Sequence, residues 1–178
     1  MAITIELYER TGTAGSFIDE KVTNMNWKRR SLVDSLHKYY YYPVRIPFGD
    51  ELTSHSVPKY IFAKITGSYS KAMRVRWKIS GQADDGTRVL VGQTNTFATP
   101  TTLMRGDLTT LPVNGTPMYY IPRLSTTSPT TGMHLSTLQA NTTYYTDFLV
   151  TQFFMDDSAS TVGNSNEYTV ELILDEYE

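Results

Sequence analysis

Residues 69–79 read YSKAMRVRWKI, and from residue 73 onward apolar and cationic side chains alternate strictly. Successive side chains of a β-strand point to opposite faces, so this segment has one apolar and one charged face. The apolar positions are Met73, Val75, Trp77 and Ile79, and the cationic positions are Arg74, Arg76 and Lys78. The pattern predicts a strand of an antiparallel sheet, with one face in a core and the other in water or against a partner.

The three cations, Arg74, Arg76 and Lys78, form a basic stripe that allows three interpretations. The first is an intramolecular ladder with Glu167 and Glu171 of the last predicted strand, because opposite charges on neighbouring strands attract. The second is contact with an acidic surface on another subunit. The third, a nucleic-acid groove, is the weakest, because no aromatic side chain interleaves with the cations to stack on bases.

The remaining strands are bounded by turn-forming residues. Asp84-Asp85-Gly86, within Gly81–Gly86, is the strongest hairpin signal and predicts that the strands on either side pair with each other. Phe148 begins a run that is apolar on both faces, which predicts a central strand covered on both sides. We also expect a loop over Thr11–Gly15 and one short helix over Ser31–Lys38. The expected strands are Ile3–Tyr8, Tyr60–Thr66, Tyr69–Ile79, Arg88–Gly92, Thr94–Ala98, Tyr144–Met155 and Tyr168–Leu174.

This pattern of about eight strands, without alternating helices, is typical of an all-β protein. We predict an antiparallel two-sheet β-sandwich, jelly-roll or immunoglobulin-like, with a barrel as the alternative. The 178 residues are most simply one domain. Residues 99–142 are rich in Thr, Pro, Ser and Gly and too long for a simple loop. This excursion either contains two or three short strands or orders against a partner.

The composition limits the kinds of binding and catalytic site that the chain can form. The 16 basic and 18 acidic residues argue against binding nucleic acid through bulk charge, and the lack of cysteine removes disulfides and thiolate sites. No leader peptide and no membrane-spanning apolar run is evident, so we expect neither a membrane partner nor export. His37, His55 and His134 lie in separate segments without carboxylates at ligand spacing. We therefore expect no enzyme activity, no cofactor and no metal site.

Tyrosine dominates the aromatic residues, with 13 Tyr against 7 Phe and 2 Trp, and it suits both strands and interfaces. Pro43 and Pro47 remove ladder donors, so Tyr39–Phe48 is expected to be an edge strand or an extended arm. Arg105-Gly106-Asp107 matches a cell-attachment tripeptide, although a glycine between opposite charges is also ordinary turn chemistry. The predicted interface residues are Trp27, Tyr39, Tyr40, Tyr41, Tyr42, Phe48, Met118, Tyr119 and Tyr120.

Three stretches carry a resemblance to a known class of proteins. They are NMNWK at 24–28, YPVRIPFG at 42–49, and Lys59–Gly81 with its KAMRVRWKISG core. Together they resemble virion structural proteins of tailed bacteriophages, over roughly residues 2–100. The resemblance implies a β-sandwich assembly component of the virion, of head-decoration, neck, tail or baseplate type.

These observations lead to one expected function and one alternative. We expect a non-enzymatic virion protein, made in a host cytoplasm, that forms a homo-oligomer and docks on other virion proteins without binding nucleic acid. The alternative is a carbohydrate- or receptor-binding module of a phage fibre, for which Trp27 and the Tyr39–Tyr42 cluster would supply the stacking rings.

Overall fold

A computed structural model describes residues 3–22, 29–30, 41–42, 53–67, 73–81, 86–101, 105–112, 114–131, 138, 142–158 and 168–176. Regular secondary structure in these ranges consists of strands alone. In chain order the strands are β1 (Ile3–Thr13), β2 (Ser16–Lys21), β3 (Arg29–Arg30), β4 (Tyr41–Tyr42), β5 (Thr53–His55), β6 (Lys59–Gly67), β7 (Met73–Gly81), β8 (Thr87–Thr94), β9 (Thr109–Thr110), β10 (Met118–Tyr120), β11 (Leu124–Ser125), β12 (Tyr144–Thr146), β13 (Phe148–Asp156) and β14 (Tyr168–Glu176).

The larger sheet has the order β11-β12-β6-β13-β8-β9, and every pairing in it is antiparallel. Strands β12 and β13 pair with successive parts of the same edge of β6. The opposite edge of β6 pairs with β1, which continues into β2 through a hairpin with a two-residue turn at Ala14–Gly15. Strand β5 pairs with the far end of β13. The strand expected over Ile3–Tyr8 therefore runs on to Thr13, and the loop expected over Thr11–Gly15 shrinks to the hairpin turn.

The smaller sheet has the order β10-β7-β14, with the alternating strand β7 in its centre. Trp77 and Ile79 of β7 are completely buried and pack against Ile61, Val91 and further apolar side chains of the larger sheet. Two antiparallel sheets thus pack face to face over apolar side chains, which confirms the β-sandwich predicted from the alternation in β7. The choice between a jelly-roll and an immunoglobulin-like subtype stays a prediction.

The larger sheet also carries a second apolar cluster on its outer face. Side chains there alternate with those of the inner core, so that Tyr60 and Phe62 face outward while Ile61 and Ala63 face inward. Phe97, from the chain that follows β8, covers this outer cluster. Because both faces of the sheet are covered, β13 is buried on both sides, as its doubly apolar sequence predicts.

The predicted hairpin at Gly81–Gly86 is wrong. Strand β7 pairs with β10 and β14, whereas β8 pairs with β13 and β9 in the other sheet. The physical reason is that both strands bury their apolar rows in the same core from opposite sides, so the connection between them crosses from sheet to sheet. The helix predicted over Ser31–Lys38 lies outside the described residues.

The Thr/Pro-rich segment 99–142 contributes three short strands to the sandwich. Strand β9 extends the larger sheet beside β8, β11 pairs with β12, and β10 joins the smaller sheet beside β7. Leu111, Leu124 and Leu138 are buried in the cores between the sheets. Of the two alternatives for this segment, its described part fits the one with two or three short strands.

Candidate interaction surface

The outer face of the smaller sheet carries the basic stripe, and the structure pairs it with acidic residues of the same chain. Lys78 lies directly across from Glu171, and its Nζ is 2.6 Å from Glu171 Oε2. Arg76 Nη2 lies 2.6 Å from Asp175 Oδ2. The hydrogen bond that Lys78 donates to Glu171 raises the pKa of Lys78. The intramolecular ladder is therefore the arrangement formed, with Asp175 as a partner that the sequence analysis missed.

Asp175 could have been found from the sequence, because it continues the period-2 polar row of β14 after Glu171 and Ile173. The other expected partner, Glu167, lies outside the described residues. Since Arg76 and Lys78 are paired with carboxylates of the same chain, this face is mixed in charge. Such a face suits contact with another protein better than attraction of phosphates.

The three predicted interface residues in β10 point to different faces of the smaller sheet. Tyr119 stands opposite Lys78 on the outer face, is 50% exposed, and has its ring centroid 5.2 Å from Arg76 Cζ. Met118 and Tyr120 point the other way and pack against the inner core. Burial raises the pKa of Tyr120, whose hydroxyl donates to the backbone oxygen of Val91 at 3.2 Å. We therefore keep Tyr119 as an interface candidate and reassign Met118 and Tyr120 to the core.

The other predicted interface residues belong to the Tyr39–Phe48 arm and the segment before it. Tyr41 and Tyr42 form β4, which pairs antiparallel with Arg29 and Arg30 of β3, in agreement with the extended conformation expected there. The remaining positions lie outside the described residues: Trp27, Tyr39, Tyr40 and Phe48.

Strand β14 forms one edge of the smaller sheet. Its inner edge pairs with β7 over all nine residues, and within the described ranges no strand pairs with its other edge. The apolar row Val170, Leu172 and Leu174 faces the core but is only half-buried. A long unpaired edge with a partly covered apolar row is a template for another strand.

A polar cleft of about 390 Å³ lies beside the larger sheet. At its floor Asp147 is 2% exposed and accepts hydrogen bonds from Gln93 Nε2 at 2.9 and 2.8 Å and from Arg123 N at 3.1 Å. The described lining residues are Gln93, Thr94, Asn95, Ile121, Arg123 and Asp147. They come from three separate segments, so no local pattern in the sequence could have indicated this cleft.

Within the Arg105-Gly106-Asp107 tripeptide, the arginine and aspartate side chains bind each other. Arg105 Nε donates to Asp107 Oδ1 at 2.9 Å, and Arg105 Nη1 donates to the Tyr60 hydroxyl. The hydrogen bonds from Arg105 hold the pKa of Asp107 below its usual value. Because the two charges neutralise each other over the outer aromatic cluster, the geometry favours a structural turn over a cell-attachment motif.

Groups that could carry chemistry are sparse in the described ranges. No set of three or more His, Asp or Glu side chains there is arranged to hold a metal ion. His55 packs edge-on against Phe154, and burial lowers its pKa. His37 and His134 lie outside the described residues. The part of the chain that the structure describes also contains no helix of the length and hydropathy needed to span a membrane.

Comparisons with protein-family models, with curated protein sequences and with solved structures each return no match.

Proposed function

We propose that this chain is a non-enzymatic structural protein of a tailed-phage virion, which oligomerises and docks on neighbouring virion proteins. The stretches at 24–28, 42–49 and 59–81, which resemble such proteins, support the virion assignment. The outer edge of β14, with which no strand of the described ranges pairs, carries the assembly part of the proposal, because edge strands of this length are natural sites for pairing between chains.

The outer face next to this edge supports the same function. Arg76 and Lys78 are paired with carboxylates, and Tyr119 is half exposed beside them. Tyrosine is enriched at protein interfaces because its ring loses little entropy on burial and its hydroxyl keeps a polar partner. The paired stripe also supports a protein partner over nucleic acid.

Light scattering of the purified chain over a range of concentrations and ionic strengths tests the proposal. We expect a mass of two or more copies that increases with concentration. We also expect Tyr119→Ser to lower the mass more than Ser80→Ala, a substitution at a partly exposed position of the central strand on the same sheet face. A wild-type mass of one copy at every concentration would contradict self-assembly.

A glycan- or receptor-binding module of a phage fibre is the second candidate, and the polar cleft is the observation that favours it. Asn95, Thr94 and Arg123 offer both donors and acceptors for a hydroxyl-rich ligand. None of the described lining residues is aromatic, so the cleft lacks a ring on which a sugar could stack, and we rank this candidate second. A glycan screen in which Asn95→Ala abolishes a wild-type signal would reverse the order.

A further inference from the structure

Strand β14 lacks several of the devices by which proteins usually protect a sheet edge. From Tyr168 to Glu176 it contains no proline, no glycine and no lysine, and it pairs with β7 in a continuous register without a bulge. Its acidic side chains on the outer face are drawn toward β7, since Glu171 is held by Lys78 and Asp175 by Arg76. The outer edge is therefore long and regular, and no strand of the described part of the chain pairs with it.

The sequence of β14 is complementary to itself in one antiparallel register. Centred on Leu172, the strand places Val170 opposite Leu174 of a second copy, so the apolar row meets an apolar row. On the polar face the same register places Thr169 opposite Asp175 of the second copy, and Glu171 opposite Ile173 of the second copy. No like charges then stand directly opposite each other.

The neighbouring registers do not have this property. Centring the pair on Glu171 places two copies of that carboxylate directly opposite each other. Centring it on Ile173 places Glu171 opposite Asp175 of the second copy. Like charges directly opposed across strands are destabilising, so both alternatives are disfavoured, and a register centred on Leu172 also retains the full strand length.

An exposed side chain on the other sheet lies two residues from the cluster against which β14 packs, and we expect an added strand to cover it. Leu172 and Leu174 pack in a cluster that includes Ile3 of β1. Ile5, two residues further along the same face of β1, is 39% exposed. A strand added to the outer edge of β14 extends the smaller sheet over β1 and shields Ile5 from water.

We propose that two copies of this chain pair antiparallel along β14, centred on Leu172, to form one continuous sheet of six strands. The order across the dimer is β10-β7-β14-β14-β7-β10. Such an interface is isologous and has a twofold axis at Leu172. This inference rests on the self-assembly in the proposed function and specifies its contact.

Single cysteines test the register, because the natural chain has none. In this register the two copies of position 172 face each other across the axis, within the Cα separation that a disulfide spans. We expect Leu172→Cys to give a covalent dimer under mild oxidation. Val170→Cys alone is expected to give none, whereas a mixture of Val170→Cys and Leu174→Cys chains is expected to cross-link. Far-UV circular dichroism of the reduced variants controls for folding.

Charge substitution at Ile173 gives a second, non-covalent test. Ile173→Glu places a carboxylate opposite Glu171 of the second copy, whereas Ile173→Lys places an ammonium there. We expect the glutamate variant to weaken dimerisation by about 2- to 30-fold, because two symmetry-related pairs are affected, and the lysine variant not to weaken it. Ile173 stands across from Arg76 of β7 in its own chain, so the two charges affect the fold differently. Denaturant titration of each variant therefore accompanies the dimerisation measurement, and the comparison is made where both variants are fully folded.

The outcomes separate this contact from the proposed function. Cross-linking at Leu172, together with weaker dimerisation in Ile173→Glu but not in Ile173→Lys, supports the contact. A wild-type oligomer that neither cross-links through Leu172→Cys nor responds to Ile173→Glu overturns this register while self-assembly stands. A wild-type chain that is monomeric at all concentrations overturns both.

Discussion

At the scale of single residues, Arg10 connects the β1–β2 hairpin to the outer aromatic cluster of the larger sheet. Its side chain is 6% exposed, and its Cζ lies 3.8 Å from the ring centroid of Phe17 and 5.2 Å from that of Phe148. Two hydrogen bonds of 2.7 and 2.8 Å join it to Asp19. The planar fork of arginine suits both contacts, since it binds a carboxylate with two donors and stacks on rings.

Removing the carboxylate should therefore destabilise the protein. We expect Asp19→Ala to lower the free energy of unfolding by about 1–3 kcal/mol, because a buried cation loses its hydrogen-bond acceptor. Glu20→Ala, one residue further on the same exposed strand, is the matched control and should change it by less than about 0.5 kcal/mol. Denaturant titration of both variants makes the comparison, and equal effects would show that the pair does not stabilise the hairpin.

A second residue links stability to pH. Burial lowers the pKa of His55, so the folded state disfavours its charged form. The unfolded chain takes up this proton first as the pH falls below about 6.5, so the contribution of neutral His55 to stability is lost toward lower pH. We expect stability to fall less steeply between pH 7.5 and pH 5 in His55→Gln than in the wild type. Parallel pH profiles from denaturant titrations would contradict this.

At the scale of elements, strict alternation was a reliable guide. Strands β7 and β14 have period-2 patterns, and β13 is apolar on both faces; all three lie where the sequence predicts. Burial of one face or of both faces imposes these patterns, so they can be recognised without knowledge of the partners. The hairpin at Gly81–Gly86 was not predictable in this way. Turn residues indicate that the chain reverses its direction, but they do not indicate which sheet the next strand joins.

The features of the candidate surface differ in the same way, since some follow from local sequence patterns and others do not. The ladder between Lys78 and Glu171 follows from two alternating patterns, and the sequence indicated it as one of three interpretations. The polar cleft at Asp147 and the cluster around Arg10 depend on distant segments brought together by the fold. Neither has a local sequence signal, because the spacing of their members along the chain is arbitrary.

The β1–β2 hairpin offers a test at the element scale. Gly12 has φ of 101°, and an added Cβ would lie 2.5 Å from the backbone oxygen of Ser16. We expect Gly12→Ala to destabilise by about 1–3 kcal/mol through backbone strain and this collision. Gly15→Ala is the control in the same hairpin, since a Cβ there meets nothing within 4 Å.

The readout should resolve local opening as well as global unfolding, because β2 is exposed along its whole length. Amide hydrogen exchange over residues 8–21 provides it. We expect faster exchange in Gly12→Ala and unchanged exchange in Gly15→Ala. Equal protection in both variants would mean that the hairpin tolerates a side chain at Gly12.

At the scale of the whole molecule, the sandwich depends on the segment that its composition sets apart. Leu111 follows β9 within the Thr/Pro-rich excursion and is 2% exposed in the main core. Its backbone N–H donates to the Val89 oxygen at 2.8 Å, which continues the pairing of β9 with β8. A segment that supplies core side chains and ladder hydrogen bonds is part of the folding unit and not an appendage.

This leads to a prediction about cooperativity. We expect Leu111→Ala to lower the free energy of unfolding by about 2–5 kcal/mol, as for a leucine in any well-packed core. Thr110→Ala, an exposed neighbour on β9, should cost less than about 0.5 kcal/mol. Circular dichroism and tryptophan fluorescence should report one coincident transition in both variants, because Trp77 shares its core with Leu111. If Leu111→Ala cost no more than its control, the excursion would be energetically independent of the sandwich.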